Sequence, residues 1–232
     1  MRRGGLAAAI AAAAAIDAHA ARPMVTDDAR IVDAKACQLE TWTRRTRDGN
    51  EYWALPACDF TGNLELTFGG GRTHSDEGNG FTDNILQAKT MVKPLESGGW
   101  GMALTLGTAR HPQREAYSGW PGDPYFNVPV SFSTMEDRWV AHFNAGASYR
   151  RDEKRTVGTW GFGHEIQLRD DLYLIPEIFH SDPGRPFFQA GLRYWIVKDR
   201  IQLDATYGNR FVSEDQHWFS IGLRLLTPAF IR

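Results

Sequence analysis

The chain has 232 residues, a formal net charge of −2 and a mean hydropathy of −0.41. That near-neutral balance excludes the broad basic field by which proteins hold nucleic acid or anionic lipid. No stretch reaches the roughly 18 consecutive apolar residues of a membrane-spanning helix, so a helical membrane protein is excluded too.

Arg2 and Arg3 precede an uninterrupted apolar run from Leu6 to Ile16, followed by Ala18-His19-Ala20. A positive start, a short greasy core and a small-x-small site predict a signal peptide over residues 1–20 and a mature start at Ala21. A short N-terminal helix that stays attached is the other reading of the same residues. Residues 21–232 show no linker, heptad or low-complexity tract and are read as one domain.

From residue 37 onward, alternating apolar and polar residues recur in runs of strand length with loop residues between them. The predicted strands are 37–45, 51–57, 63–70, 84–93, 100–110, 126–133, 139–150, 156–168, 172–180, 187–197, 200–209 and 217–226. Each is close to the length that a tilted strand needs to cross hydrocarbon. The connections sort by parity. Those after even-numbered strands are short or moderate, the tightest being Arg169-Asp170-Asp171 and Lys198-Asp199. Those after the third, fifth and eleventh are longer and polar, as in G-R-T-H-S-D-E-G-N-G-F-T-D from Gly71 and R-H-P-Q-R-E-A-Y-S-G-W-P-G-D-P-Y from Arg110. Short turns at one end and long loops at the other mark an outer-membrane barrel, whereas a soluble sandwich has no reason to sort its loops. The expected fold is therefore all-β, an antiparallel transmembrane barrel of about 12 strands with outer-membrane lipid around it.

Parity then assigns faces. Trp100, Met102, Leu104 and Leu106 point outward, as do Phe188, Ala190, Leu192, Tyr194 and Ile196, and Phe219, Ile221, Leu223 and Leu225. Gln87, Asn144 and Gln189 point inward, together with the charged or titratable candidates Lys89, His142, Glu165, Glu177, Arg193, Asp204 and Arg224. Arginine facing mid-bilayer lipid costs about 2–4 kcal/mol, so Arg193 and Arg224 mark the lumen. Trp139, Tyr149, Trp160, Tyr207 and Trp218 lie towards strand ends and are expected in the interfacial girdles. His164 falls on the apolar parity and suggests a bulge.

The segments R-P-M-V-T-D-D-A-R, E-Y-W-A-L-P-A-C, D-A-T-Y-G-N-R and W-F-S-I-G-L-R-L-L resemble a group of proteobacterial exported barrel proteins. That group is similar in form to outer-membrane barrels associated with aromatic-compound degradation. The resemblance implies fold and location and carries no catalytic residue.

Enzymatic readings fail on geometry. His142-Phe143-Asn144-Ala145-Gly146 resembles the H-x-S-x-G motif of outer-membrane phospholipase A, but Asn144 stands where that family places its serine. Ser148, the next serine of the same parity, is roughly 20 Å along the strand from His142. His164-Glu165 lacks the second histidine of H-E-x-x-H because position 168 is leucine, and adjacent strand residues face opposite ways. No metal site, cofactor, catalytic residue or nucleic-acid partner is expected. Asp27-Asp28 and Asp170-Asp171 read as solvated turns. Gly69-Gly70-Gly71 reads as a strand bend.

Two functions remain for the lumen. It is a passive channel for a small solute, with the inward charges setting selectivity. Alternatively, those charges pair with one another and plug a structural or interaction barrel. A lipid-modifying enzyme ranks third, and oligomeric state is not legible. Last, the turn Arg47-Asp48-Gly49-Asn50 predicts a hairpin pairing residues whose numbers sum to about 97. That places Cys37 and Cys58 nearly opposite each other at the short-turn end, where export permits a disulfide.

Overall fold

Alternation of side chains about an antiparallel ladder produces the observed architecture, taken from a computed structural model that describes residues 24–75, 78–112, 120–180, 184–212 and 216–231. The predicted leader, residues 1–20, lies outside the described residues. The strands are β1 (Cys37–Arg45), β2 (Asn50–Asp59), β3 (Glu65–Ser75), β4 (Gly78–Lys93), β5 (Trp100–Arg110) and β6 (Asp123–Thr134). They continue with β7 (Trp139–Arg150), β8 (Arg155–Arg169), β9 (Leu172–Leu174), β10 (Glu177–His180), β11 (Phe187–Val197), β12 (Ile201–Arg210) and β13 (Trp218–Leu226).

Sequential strands pair antiparallel, and β1 closes on β13 from Gln38↔Leu226 to Arg45↔Phe219. Both β9 and β10 pair with β8 on one side and β11 on the other, so together they form one stave of a twelve-stave barrel. The interruption falls at Pro176, which has no N–H to give the ladder. Flanking groups still pair: Ile175 N–H donates to the Gly191 carbonyl, and His164 N–H donates to that of Pro176.

The expected parity holds along the wall. Phe68, Leu106, Leu192 and Ile221 are exposed on the outside, while Gln189, Arg193, Asp204 and Thr206 are buried inside. Trp139, Tyr149, Trp160 and Tyr207 are outward and exposed. Trp218 departs from that expectation: it points into the lumen and is only 3% exposed. Its indole lies over Gly208, directly across the ladder, where an added Cβ would come within 2.2 Å of the ring. Trp53 covers Gly71 in the same way, at 2.6 Å. His164 departs differently. Its pairing with Ala141 is regular, so no bulge turns it inward; its ring faces outward and accepts the Trp139 indole N–H at 3.0 Å.

The segment expected as a long loop after the third strand is largely strand. Thr73↔Gly80 and His74↔Asn79 extend the β3–β4 ladder beyond Asn84↔Arg110, where pairing of β4 with β5 begins. Gly71 sits at the irregularity between Gly70 and Arg72, in line with the expected bend.

The first hairpin pairs residues summing to 95, with Thr46 N–H bonded to the Gly49 carbonyl, a turn one position earlier than expected. Cys37 and Cys58 are consequently direct partners, joined in a disulfide at the short-turn end. At the opposite end two apolar clusters occupy the lumen. Trp42 and Trp53 stack at 5.3 Å in one, with Leu55, Ile85, Ala109 and Tyr125, and Phe179, Phe187 and Trp218 form the other.

The lipid-facing assignment predicts that Leu203→Arg lowers stability in a bilayer folding titration by about 2–4 kcal/mol, while Leu203→Phe changes little. Equal effects would contradict the orientation of the wall. A non-reduced digest is expected to contain the Cys37–Cys58 linked peptides. Replacing both cysteines by serine removes a constraint contributing about 3 kcal/mol for a loop of this length, read as a lower unfolding midpoint.

Candidate functional site: the occupied lumen

A polar lumen raises an accounting problem, because inward-facing carboxylates, amides and cations are cut off from bulk water and need partners. Part of the solution lies within the wall. Arg193, only 1% exposed, directs Nε and Nη2 to the two carboxylate oxygens of Asp204 at 3.0 and 2.8 Å, and it bonds Glu165 through Nη1. Gln202 Nε2 adds a third donor to Asp204 at 3.0 Å. Arg224 donates to Gln38 Oε1 at 2.8 Å and approaches Glu40 at 3.3 Å.

Further partners come from residues 24–36, which run inside the barrel from the short-turn end. The base is fixed: Ala36 precedes the disulfide, its carbonyl accepts Asp59 N–H at 3.0 Å, and Cys37 N–H donates to Thr227 Oγ1 at 2.9 Å. Higher in the lumen, Val32 N–H donates to Glu65 Oε2 at 2.8 Å and Ala29 N–H to Ser131 Oγ at 2.9 Å. Asn144 holds Asp27 by both main-chain groups, accepting its N–H at 2.8 Å and donating to its carbonyl at 2.8 Å. Glu177 receives Val25 N–H at 2.8 Å and Thr26 N–H at 2.7 Å, one on each carboxylate oxygen. Gln189 donates from Nε2 to Glu177 and accepts the Trp218 indole N–H on Oε1 at 2.9 Å, which links the carboxylate to the aromatic cluster. Val25 packs on that cluster.

Charge follows the same pattern. Lys89 Nζ is 2.9 Å from Asp27 and 3.6 Å from Asp28. The Asp27-Asp28 pair is therefore not a solvated turn. Its turn chemistry is real, since Asp28 N–H bonds Asp27 Oδ1 and Arg30 N–H bonds Asp28 Oδ1, but the turn is folded into the lumen against a buried cation. Asp170-Asp171, by contrast, sits at the tight β8–β9 turn. A cavity of about 30 Å³ remains between segment and wall, lined in part by Glu65, Lys89, His142, Glu165, Arg193 and Arg224. That is space for about two waters.

All seven lumen candidates face this interior: Lys89, His142, Glu177, Arg193 and Asp204 are buried, and Glu165 and Arg224 partly so. Sequence reasoning passed over Glu40, Glu65 and Ser131, and above all the segment itself. The missed signal was a stretch ahead of the first strand with scattered apolar residues, Met24, Val25, Ile31 and Val32, and no strand periodicity.

The serine nearest His142 is Ser131, its direct partner across the β6–β7 ladder, with Oγ 2.8 Å from Nδ1; Glu165 lies 3.7 Å from Nε2. The order resembles a hydrolytic relay, yet Ser131 is fully buried and its oxygen already accepts the Ala29 amide. A nucleophile needs a reacting atom about 3 Å away, and that place is taken. Among the described residues no group of three or more His, Cys, Asp or Glu side chains is arranged to hold a metal ion.

Residues 6–226 match the family described as uncharacterised conserved protein UCP029691, and the chain belongs to that family. No sequence among curated proteins matches it. Among solved structures it is similar to the KdgM porin, at 10% identity and a TM-score of 0.57 over 81% of this chain and 98% of the porin. That porin is also known in complex with disordered oligogalacturonate. The NanC porin shares 9% identity, with a TM-score of 0.57 over 82% and 98% of the two chains. The COG4313 outer-membrane channel of Pseudomonas putida F1 shares 10%, with a TM-score of 0.54 over 86% and 98%. These likenesses place the fold among outer-membrane-type barrels.

Removing the cation at the centre of the network tests it. Lys89→Met leaves Asp27 and Asp28 without their lumen ammonium, and breaking a buried ion pair costs about 3–5 kcal/mol when the survivor stays buried. The tethered segment can withdraw and hydrate its carboxylates instead. The expected result is faster hydrogen exchange at the amides of residues 25–32 and a smaller loss of global stability. Unchanged protection of those amides would show that Lys89 does not hold the segment.

Proposed function

We propose that this protein is an outer-membrane channel for a small polar solute, held closed by its own N-terminal segment. One observation carries the reading: the short-turn half of the lumen is filled by a segment ahead of the first strand, residues 24–36, bonded to a charged wall. A segment tethered at one end can leave a barrel without breaking its ladder, which packed wall side chains cannot do. Lys89, His142, Glu165, Glu177, Arg193, Asp204 and Arg224 would then border the vacated path, with both signs of charge available to select among solutes. The porin and channel folds it resembles support this reading.

Export is part of the proposal. Cleavage after Ala20 would leave Ala21 as the mature N-terminus, three residues ahead of Met24 in the sequence. An aromatic acid among the solutes is the finer form of the proposal, motivated by the resemblance to barrels of aromatic-compound degradation. A second reading is favoured by the same bonds. Glu177, Asn144, Ser131 and Glu65 are all engaged by the segment, as expected of a permanently sealed structural barrel.

Single-channel recording separates the two. Full-length protein in planar bilayers is expected to be closed or to open in rare bursts, and deletion of residues 24–33 should give steady current. Liposome swelling with sugars, amino acids and aromatic acids then ranks the solutes. A correctly folded deletion variant that passes no current and no solute would establish the sealed barrel.

A further inference from the structure

The bonds that hold the segment are of a particular kind. Four of the wall groups contacting residues 25–32 bind main-chain atoms: Glu177 takes two consecutive amides, Asn144 takes the N–H and the carbonyl of one residue, and Ser131 and Glu65 take one amide each. Main-chain groups are common to every peptide, so these contacts recognise a peptide backbone rather than one sequence. Sequence enters at two places. Lys89 faces the adjacent carboxylates of Asp27 and Asp28, and the Phe179, Phe187 and Trp218 cluster seats Val25 two positions before the first acid.

Withdrawal of the segment removes its bonds to these wall groups together, leaving Glu177, Glu65, Asn144 and Ser131 with only their wall partners Gln189, Gln38, Asn127 and His142 among the described residues. Glu177 and Glu65 lose amide donors and Lys89 loses two carboxylates, inside a narrow space where such losses are costly. A solute that restores all of them is strongly preferred to one that restores only the charge. Building on the channel reading, we propose that the vacated lumen binds short acidic peptides, of the pattern apolar–any–acid–acid, and that residues 25–28 are an internal stand-in for that solute. Tethering gives the internal copy an effective concentration in the millimolar range. A free peptide therefore competes poorly with it and binds readily only after it has left.

The test uses the 24–33 deletion variant, verified as a folded barrel by its resistance to SDS without heating. Three probes are added: the peptide Val-Thr-Asp-Asp-Ala-Arg, the same peptide with Lys-Lys in place of Asp-Asp, and succinate. Binding is read by tryptophan fluorescence and by interruption of bilayer current. The acidic peptide is expected to bind about tenfold more tightly than either other probe. Lys89→Met should erase the preference for acid, and Asn144→Leu should weaken both peptides while leaving succinate unchanged. Equal affinity for the two peptides, or succinate binding as tightly as the acidic peptide, overturns the proposal. Peptide binding without current would sink the channel reading and leave the site standing; current with no peptide binding would do the reverse. Should the deletion not fold, the full-length protein supplies the reading: excess acidic peptide should accelerate exchange of the amides of residues 25–32, and no acceleration counts against the proposal.

Discussion

Closure of β1 on β13 is the constraint from which the rest of the structure follows. In hydrocarbon an unpaired backbone N–H or C=O costs several kcal/mol, so a sheet exposed to lipid must have no free edge. Closing the sheet turns every second residue inward, and the number of staves sets how much room those residues have. With twelve staves the interior is too wide for wall side chains alone to fill at the polar end. It is also too narrow to leave the charges of Arg193, Lys89 and Glu177 in anything like bulk water.

The two ends of the lumen answer this constraint differently. At the long-loop end the chain supplies bulk from the wall, stacking Trp42 on Trp53 and gathering Phe179, Phe187 and Trp218, with glycines on the neighbouring strands giving the rings space. At the short-turn end polar groups dominate, and apolar filling would strand them. A peptide segment suits that end because it carries its own donors and acceptors at regular spacing. Wall carboxylates can terminate on amides, and the Lys89 ammonium can terminate on side-chain acids.

Wall pairs and segment pairs therefore differ in what they permit. The Arg193–Asp204–Glu165 group ties β11 to its neighbour β12 by a bidentate pair and to β8 across the β9–β10 stave, with all three partners in the wall. Contacts of Lys89, Glu177 and Asn144 reach a segment whose covalent junction with the wall, among the described residues, is at its base, beside the Cys37–Cys58 bridge and Thr227. Rigid wall and displaceable filling are thus built from similar chemistry, separated by whether both partners belong to the ladder.

By itself the sequence determined the strands, their parity, the inward placement of Arg193 and Arg224 and the pairing of Cys37 with Cys58. All of these follow from local alternation and from hairpins between near neighbours. It misplaced Trp218, which shares the inward parity of Ser220 and Arg224, because an aromatic ring towards a strand end reads as interfacial girdle regardless of its parity. The β3–β4 extension read as loop because Gly, Asn and Asp dominate it, while pairing of β3 with β2 overrides that composition. The occupied lumen was decided by tertiary structure alone. Asp27 meets Asn144 from 117 residues away, and Thr26 meets Glu177 from 151. No periodicity links such residues. Only a closed barrel brings them together and removes the water that would otherwise satisfy both.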